Sequence, residues 1–374
     1  MSRNPDHEML GQASHDERAR LGIIGAMKLH VGRRLRAGNR AFYALEAAPQ
    51  FEATHGHAPD GPAEIGAAMR PNPHWQLWST MNRATQEQMW DAVQDTLLRE
   101  EPRMKQAFHK LTDRPDKRGS LELDPDCRVP VEVQHSEIHL QPGGYVLDRG
   151  DDDFLAGAFY ELGGAAYSQA QGIGTKQSKG EIIIGMLEAQ YPGFRPTRIL
   201  DMACSAGSSS TPYAQAFPDA EVHAIDVTPG LLRYAHARAE ALGLPVHFHQ
   251  QHVAETKFPD AAFDLVVSHN AMHEMSDADA AGMMRESYRL LKPGGVCVHQ
   301  DVPLRFDQLD DYMQFDYGWD HDYNCEPFWL VYANNDPQAM LLDAGFADED
   351  VYVGFVEQSD KSMRWYVATA RKTG

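Results

Sequence analysis

Residues 198–210 read RILDMACSAGSSS. An apolar run closes on an acid, a short stretch of small residues follows, and a cluster of serines opens what reads as a helix. That order is the outline of a nucleotide-binding turn, in which glycines let the backbone pass close to a ligand or adopt a positive φ. Here Ala203 and Ser205 stand where glycines are expected, and only Gly207 of the alternating set remains. What this loop can still hold decides how the chain is read.

Outward from the loop, strand and helix alternate, the sign of a parallel α/β sheet. Apolar strands are legible at TRILDMA (197–203), EVHAIDV (221–227), VHFHQQ (246–251), FDLVVS (263–268) and GVCVHQDV (295–302). Helices are expected at 210–217, 229–242 and 277–291, the last closed by LLKPGG. PQAMLLDAGF (337–346) reads as one more helix, and VYVGFV and MRWYVATAR as two final strands, seven in all. Before residue 150 the pattern differs. Apolar residues three and four apart predict helices over 16–48 and 84–111, the second behind a Thr85 cap, with a Pro/Gly-rich loop and one short helix between them. VPVEVQHSEIHLQPGGYVL (129–147) suggests a hairpin or two short strands. The expected organisation is a mainly helical N-terminal domain, residues 1–150, serving dimer contact and one wall of an acceptor pocket, and an α/β domain, residues 151–374.

The chain is 374 residues long, 43% apolar, with a net charge of -20. A phosphate-binding surface needs a basic face, so a nucleic-acid partner is disfavoured. Between 301 and 360, fifteen carboxylates face one base, Arg305. The locally basic GRRLRAGNR (32–40) reads as an ordinary solvated helix face. No apolar run of about 18 residues appears and the N-terminus carries no signal-peptide pattern, so no membrane partner and a cytoplasmic location are expected. Four scattered cysteines without a CxxC pair argue against a zinc knuckle or disulfide framework. His247 and His249 share one face of a strand and His252 falls on the other, so no metal site is expected there.

In an open α/β sheet the ligand sits beyond the carboxyl ends of the strands. Asp201 ends the first strand of this sheet and Asp226 the second, where a carboxylate accepts hydrogen bonds from ribose hydroxyls. A pyrophosphate needs several convergent N–H groups at a helix start. The loop lacks the glycines for that, and Asp201 would oppose the anion. A cationic or zwitterionic ligand fits better.

At these residues the chain resembles the class I S-adenosylmethionine-dependent methyltransferases. DMACSAG (201–207) is similar to their first motif, D/E-x-G-x-G-x-G, with Ala203 and Ser205 substituted. HAIDVTPGLLRYAHARAEALG (223–243) resembles the second, with Asp226 as ribose ligand. VAETKFPDAAFDLVVSHNAMHEM (253–275) resembles the adenine-side loop and fourth strand, and LLKPGGVCVHQDVP (290–303) the late motif before the fifth. The ending, LLDAGF to RWYVATAR, resembles the family's, whose last strand is antiparallel. His252 or Val253 stands where many relatives carry an aspartate near the adenine. The resemblance covers roughly 195–371 and implies a Rossmann-like seven-stranded methyltransferase sheet, with S-adenosylmethionine held by Asp201, Ala203, Ser205, Gly207, Asp226, Val227, Val253, Ala254 and Ser268.

The acceptor side should follow the fourth strand. SHNA (268–271) departs from the N/D-P-P-Y/F motif of amine-modifying relatives, whereas HEMSD, His273 to Asp277, is similar to the H-D-W-S-D of small-molecule O-methyltransferases. There the histidine is the general base, which implies that role for His273, with Glu274 orienting or polarising its ring. An imidazole suits a hydroxyl that loses its proton as it attacks a methyl group. The segment from Phe306 to Tyr332 should overhang the acceptor, and its aromatic residues suit an apolar or aromatic small molecule. The alternatives are C- or S-methylation of a quinone-like or thiol acceptor, and an inactive cofactor-binding partner subunit.

Overall fold

Five apolar segments form the parallel centre of one sheet in the computed structural model, which describes residues 6–171, 178–358 and 363–373. Counting from the N-terminus, β1 is Ser120–Glu122, β2 Arg198–Met202, β3 Glu221–Asp226, β4 Val246–Gln250, β5 Phe263–His269, β6 Leu291–Asp301, β7 Val351–Glu357 and β8 Arg364–Arg371. Their order is β1-β4-β3-β2-β5-β6-β8-β7. All pairs from β1 to β6 are parallel, and β8 runs antiparallel to both neighbours. Strands covered on both faces read as continuous apolar runs. Ile199, Leu200, Val222, Ile225, Leu265, Val267 and Val298 are accordingly fully buried.

The seven expected strands are present, and β1 is an eighth. This three-residue strand extends the edge beside β4, where the Ser120 hydroxyl lies 3.0 Å from His247 Nδ1 and a Glu122 oxygen 3.0 Å from His249 Nδ1. The hairpin expected over 129–147 does not form. Val131–His135 is one helical turn after Pro130, and Gly143 and Gly144, both at positive φ, turn the chain away before a second strand could pair. At the other end of the series, the helix Asp277–Leu290 hands over directly to β6, so Lys292–Gly295 lie in the strand, beside a register shift opposite Phe263 and Leu265.

Thr85 caps nothing. The helix it was expected to open runs from Pro73 to Thr112, 40 residues, and its cap is Asn72, whose side chain accepts from the N–H groups of His74 and Trp75. Proline at the first helical position and asparagine before it are the stronger start signal. Thr85 is buried mid-helix and donates its hydroxyl to the Asn82 carbonyl. The basic stretch at 32–40 is not merely solvated either: Arg36 Nε bonds Asp316 at 2.8 Å and Arg40 bonds Asp310 at 2.6 Å, docking the acidic segment after β6. Among the described residues, no helix is long and apolar enough to cross a membrane.

The helices Leu155–Gln171 and Pro229–Leu242 join the helical region to the sheet. They approach so closely that a Cβ at Gly157 would meet Tyr234 Cβ at 2.3 Å. Between them lies a fully buried ion pair, Glu161 with Arg238 Nε at 3.0 Å, supported by the Tyr234 hydroxyl at 2.6 Å and His7 at 3.1 Å. Strand order reverses between β2 and β5, and ligands of such sheets lie beyond the strand ends at that point.

Candidate active site

The loop after β2 keeps a glycine-type backbone without the glycines. Ala203, Ser205 and Gly207 alternate at φ 56°, 49° and 73°. A left-handed conformation costs a non-glycine residue about 1–2 kcal/mol, whereas glycine's extra unfolded-state freedom takes back about 0.5–1. Ala203→Gly is therefore expected to raise the unfolding free energy by up to about 1 kcal/mol in urea titration. A clear loss of stability would show that the loop stores no such strain.

Asp226, at the end of β3, is buried and accepts from Ser205 N at 3.0 Å, Thr228 N at 3.0 Å and the Thr228 hydroxyl at 2.7 Å. Burial raises its pKa, and these hydrogen bonds oppose the rise. Asp226 lines a cavity together with Ala203, Ser205, Val227, Val253, Pro130 and Val133. An acid beside apolar walls has the chemistry an adenosine needs, a carboxylate for ribose hydroxyls and apolar side chains for a base.

Five of the nine residues expected to hold cofactor thus line one cavity; the other four do not. Asp201 is fully buried behind the loop, where one carboxylate oxygen accepts from the Ser209 and Ser210 hydroxyls at 2.7 and 2.6 Å. Burial pushes its pKa up to about 7 despite those bonds. Its place is to tie the loop to the helix Ser210–Ala216. Gly207 admits the neighbouring helix and strand, since a Cβ there would lie 3.0 Å from Ala235 Cβ and 3.2 Å from the Phe248 ring. Ser268 points into the sheet, 2.9 Å from His299 Nδ1. Ala254 gives only its N–H, to His252 Nδ1. Two residues past Ser268, Asn270 lines the cavity at φ 54°.

A second cavity adjoins the first, with Trp90, Tyr167, Trp329 and Trp365 on its apolar side. Tyr145, Tyr160, Asn270 and Glu274 belong to both, so the two spaces meet there. His273 lines the second only. It stands in the 3-10 turn Met272–Glu274, with Nδ1 2.5 Å from Asp301 Oδ1. The other oxygen of Asp301, a fully buried residue, accepts the backbone N–H groups of Met272 at 2.7 Å and His273 at 3.3 Å. One carboxylate therefore fixes both the turn and the ring. Burial works to lower the His273 pKa, but the charge and hydrogen bond of Asp301 outweigh it and the value rises.

Glu274 meets His273 across the same turn, 3.5 Å from Nε2, and also takes the Tyr145 hydroxyl at 3.1 Å and His139 Nε2 at 2.9 Å. His139 Nδ1 lies 3.0 Å from Glu326. Burial opposes the imidazolium of His139, yet Glu326 and Glu274 on either side raise its pKa well above the usual range. The segment expected to overhang the acceptor divides. Glu326 and Trp329 wall the second cavity, Trp329 with its ring edge-on 5.7 Å from His273. Trp319 instead donates to Ser79 and packs on Trp78. His247, His249 and His252 do not converge: His247 meets Ser120, His249 bridges Glu122 and His223, and His252 faces Arg128 at the cofactor-side cavity.

Sequence reading missed Tyr145, Tyr160, His139 and Asp301, and reached Glu326 only as part of the segment Phe306–Tyr332. Of the four, Asp301 carried a signal, an acid closing the fifth parallel strand of the central set as Asp226 closes the second.

Residues 199–295 match a family described as a methyltransferase domain. The chain is 37% identical over 108 residues to a demethylmenaquinone methyltransferase of Thermus thermophilus, covering 29% of this chain and 48% of that one. It is 29% identical over 209 residues to phosphoethanolamine N-methyltransferase 3 of Arabidopsis thaliana, covering 54% and 39%. A trans-aconitate 2-methyltransferase of Methylobacterium radiotolerans is 32% identical over 114 residues, covering 30% and 41%. The chain spans about half or less of the length of these relatives. The resemblance read from the ordered motifs is borne out at the level of the domain: residues 199–295 match a methyltransferase domain.

Proposed function

We propose that this protein transfers a methyl group from S-adenosylmethionine to a hydroxyl of an apolar or aromatic small molecule, with His273 as general base. The reading rests on the placement of His273: in the acceptor-side cavity, beside the walls common to both cavities, with its rear nitrogen on buried Asp301. The bound cofactor supplies an electrophilic methyl on a sulfonium. Asp226 holds the ribose, and the shared walls at Tyr145 and Asn270 set the line along which acceptor and methyl meet; alignment is the larger part of the rate gain. With the cofactor bound, its sulfonium methyl would pass to the acceptor oxygen and leave the thioether behind, and His273 Nε2 would take the hydroxyl proton. Asp301, on Nδ1, holds the required tautomer and stabilises the imidazolium. Trp90, Trp329 and Trp365 exclude water and favour a flat apolar acceptor.

Similarity to a demethylmenaquinone methyltransferase favours one second reading, C-methylation of a quinone-like acceptor, which needs the same base. An inactive cofactor-binding subunit has no use for a histidine backed by a buried carboxylate. The test is turnover of methyl-labelled cofactor with phenols, hydroquinones and thiols, followed by mass spectrometry of the product. An O-methyl product supports the proposal, a C-methyl product supports the second reading, and cofactor binding without any turnover supports the inactive subunit.

Asp226→Ala is expected to weaken S-adenosylhomocysteine binding by about 1.5–3 kcal/mol, the scale of hydrogen bonds to a charged group. Asp226→Asn retains an acceptor for Thr228 and separates the ribose contact from loop packing. Unchanged affinity in both variants by calorimetry would refute the ribose role.

A further inference from the structure

His139 and the pair His273–Glu274 come from distant parts of the chain and meet where the two cavities join. One imidazole nitrogen from each histidine and one carboxylate oxygen lie within 4.8 Å of one another. The individual separations are 2.9 Å from Glu274 Oε1 to His139 Nε2 and 3.5 Å to His273 Nε2. Ligands about 2.0–2.1 Å from a tetrahedral ion stand roughly 3.3 Å apart, so the cluster is already near ligand spacing.

Two further features separate it from a chance meeting of polar side chains. Buried Asp301 is hydrogen-bonded to the rear nitrogen of His273, 2.5 Å from Nδ1, and a carboxylate in that position fixes the tautomer and aims Nε2 at a metal. Glu326 stands as a second buried carboxylate 3.0 Å from His139 Nδ1, an ion-pair contact. The backbone that presents His139 is also strained, with His139 at φ 56° and Leu140 at φ 61°. Successive non-glycine residues in that region persist where the surroundings impose them, commonly at functional sites.

We propose that His139, His273 and Glu274 form a binding site for a divalent ion of the zinc and iron(II) class. Two imidazoles and one carboxylate are the donor set of such ions, whereas magnesium and calcium prefer oxygen ligands. The open side of the cluster faces the acceptor cavity, leaving coordination positions for water or an acceptor oxygen. The consequence rests on the base reading above: Nε2 of His273 has a single lone pair, so an ion bound there and a proton accepted there exclude one another. Occupancy therefore switches the general base off.

The test is cobalt(II) titration of the chelator-treated full chain, followed by visible absorption and metal analysis. One equivalent per chain is expected, with tetrahedral or five-coordinate d–d bands. Affinity should fall on the order of 100-fold in His139→Ala and in the near-isosteric Glu274→Gln, and roughly tenfold in Asp301→Asn, whose side chain touches no ion and acts by holding the His273 ring and the turn that carries it. Thermal unfolding of each variant checks that it is folded. Absence of saturable binding to the wild type, or binding that survives both ligand substitutions, would overturn the site. Neither readout requires an acceptor or turnover, so this site and the methyl-transfer reading fail separately.

Discussion

His273→Ala is expected to lower kcat by about 10²- to 10⁴-fold, the usual contribution of a positioned general base, while cofactor Kd stays nearly unchanged. The split follows from where the ring sits. His273 lines the cavity proposed for the acceptor and does not line the one beside Asp226 that is proposed for the cofactor. Asp301→Asn keeps the size of the buried group but offers an amide where the imidazole needs an anion, so it should also lower kcat, with a smaller effect on acceptor KM. An acceptor that is already ionised, such as a thiolate, needs no base, and with it the alanine variant would remain within a few-fold of wild type. Near-normal turnover on a hydroxyl acceptor would remove the general-base role. Lost cofactor binding would place His273 on the wrong side of the site.

The largest stability effect is expected at the buried ion pair between Leu155–Gln171 and Pro229–Leu242. Arg238→Met leaves Glu161 charged and fully buried, with Tyr234 and His7 as its remaining partners among the described residues, and breaking such a pair from one side costs about 3–5 kcal/mol. Arg238 also donates to the Thr211 hydroxyl at 2.8 Å and the Gly207 carbonyl at 3.3 Å, so the same substitution loosens the helix start behind the cofactor loop. Burial works to raise the Glu161 pKa, but Arg238 and His7 prevail and hold it at about 2. A depressed carboxylate stabilises the fold above its unfolded pKa of 4.5, and that contribution fades as pH falls toward 2. Adding Glu161→Gln to Arg238→Met should recover part of the loss, because the uncompensated charge is gone. Urea unfolding at neutral pH measures both variants, and a single-variant loss below about 1 kcal/mol would mean the pair behaves like a surface one.

The parts of the fold legible in the sequence are those whose burial is dictated locally. Strands covered on both faces must be apolar throughout, so ILDM, VHAID and LVVSH identify themselves, and Asp201 and Asp226 near the ends of the first two mark the ligand edge of the sheet. β1 could not be read that way. Three residues carry no periodicity, and its partners, His247 and His249, looked like a metal question rather than an edge. The Thr85 cap failed because a helix start is decided by what precedes it, and Asn72-Pro73 is the better start. Ser268 and Asn270 show how the chain's direction decides a role: Ser268 still belongs to β5 and faces His299, whereas Asn270 lies beyond the strand at positive φ and reaches both cavities. His139 was out of reach altogether, since nothing near it in sequence points to Glu274 and its backbone conformation is imposed by the fold.

The most direct measurement of the central claim is calorimetric titration of the full chain with S-adenosylhomocysteine and, separately, with NAD. Both ligands place a ribose on an acid at the end of the second strand, but only NAD needs the glycine-lined pyrophosphate turn that Ala203 and Ser205 replace. The account predicts one S-adenosylhomocysteine site per chain and no comparable NAD binding. NAD binding more tightly than S-adenosylhomocysteine, or no S-adenosylhomocysteine site at all, would contradict it.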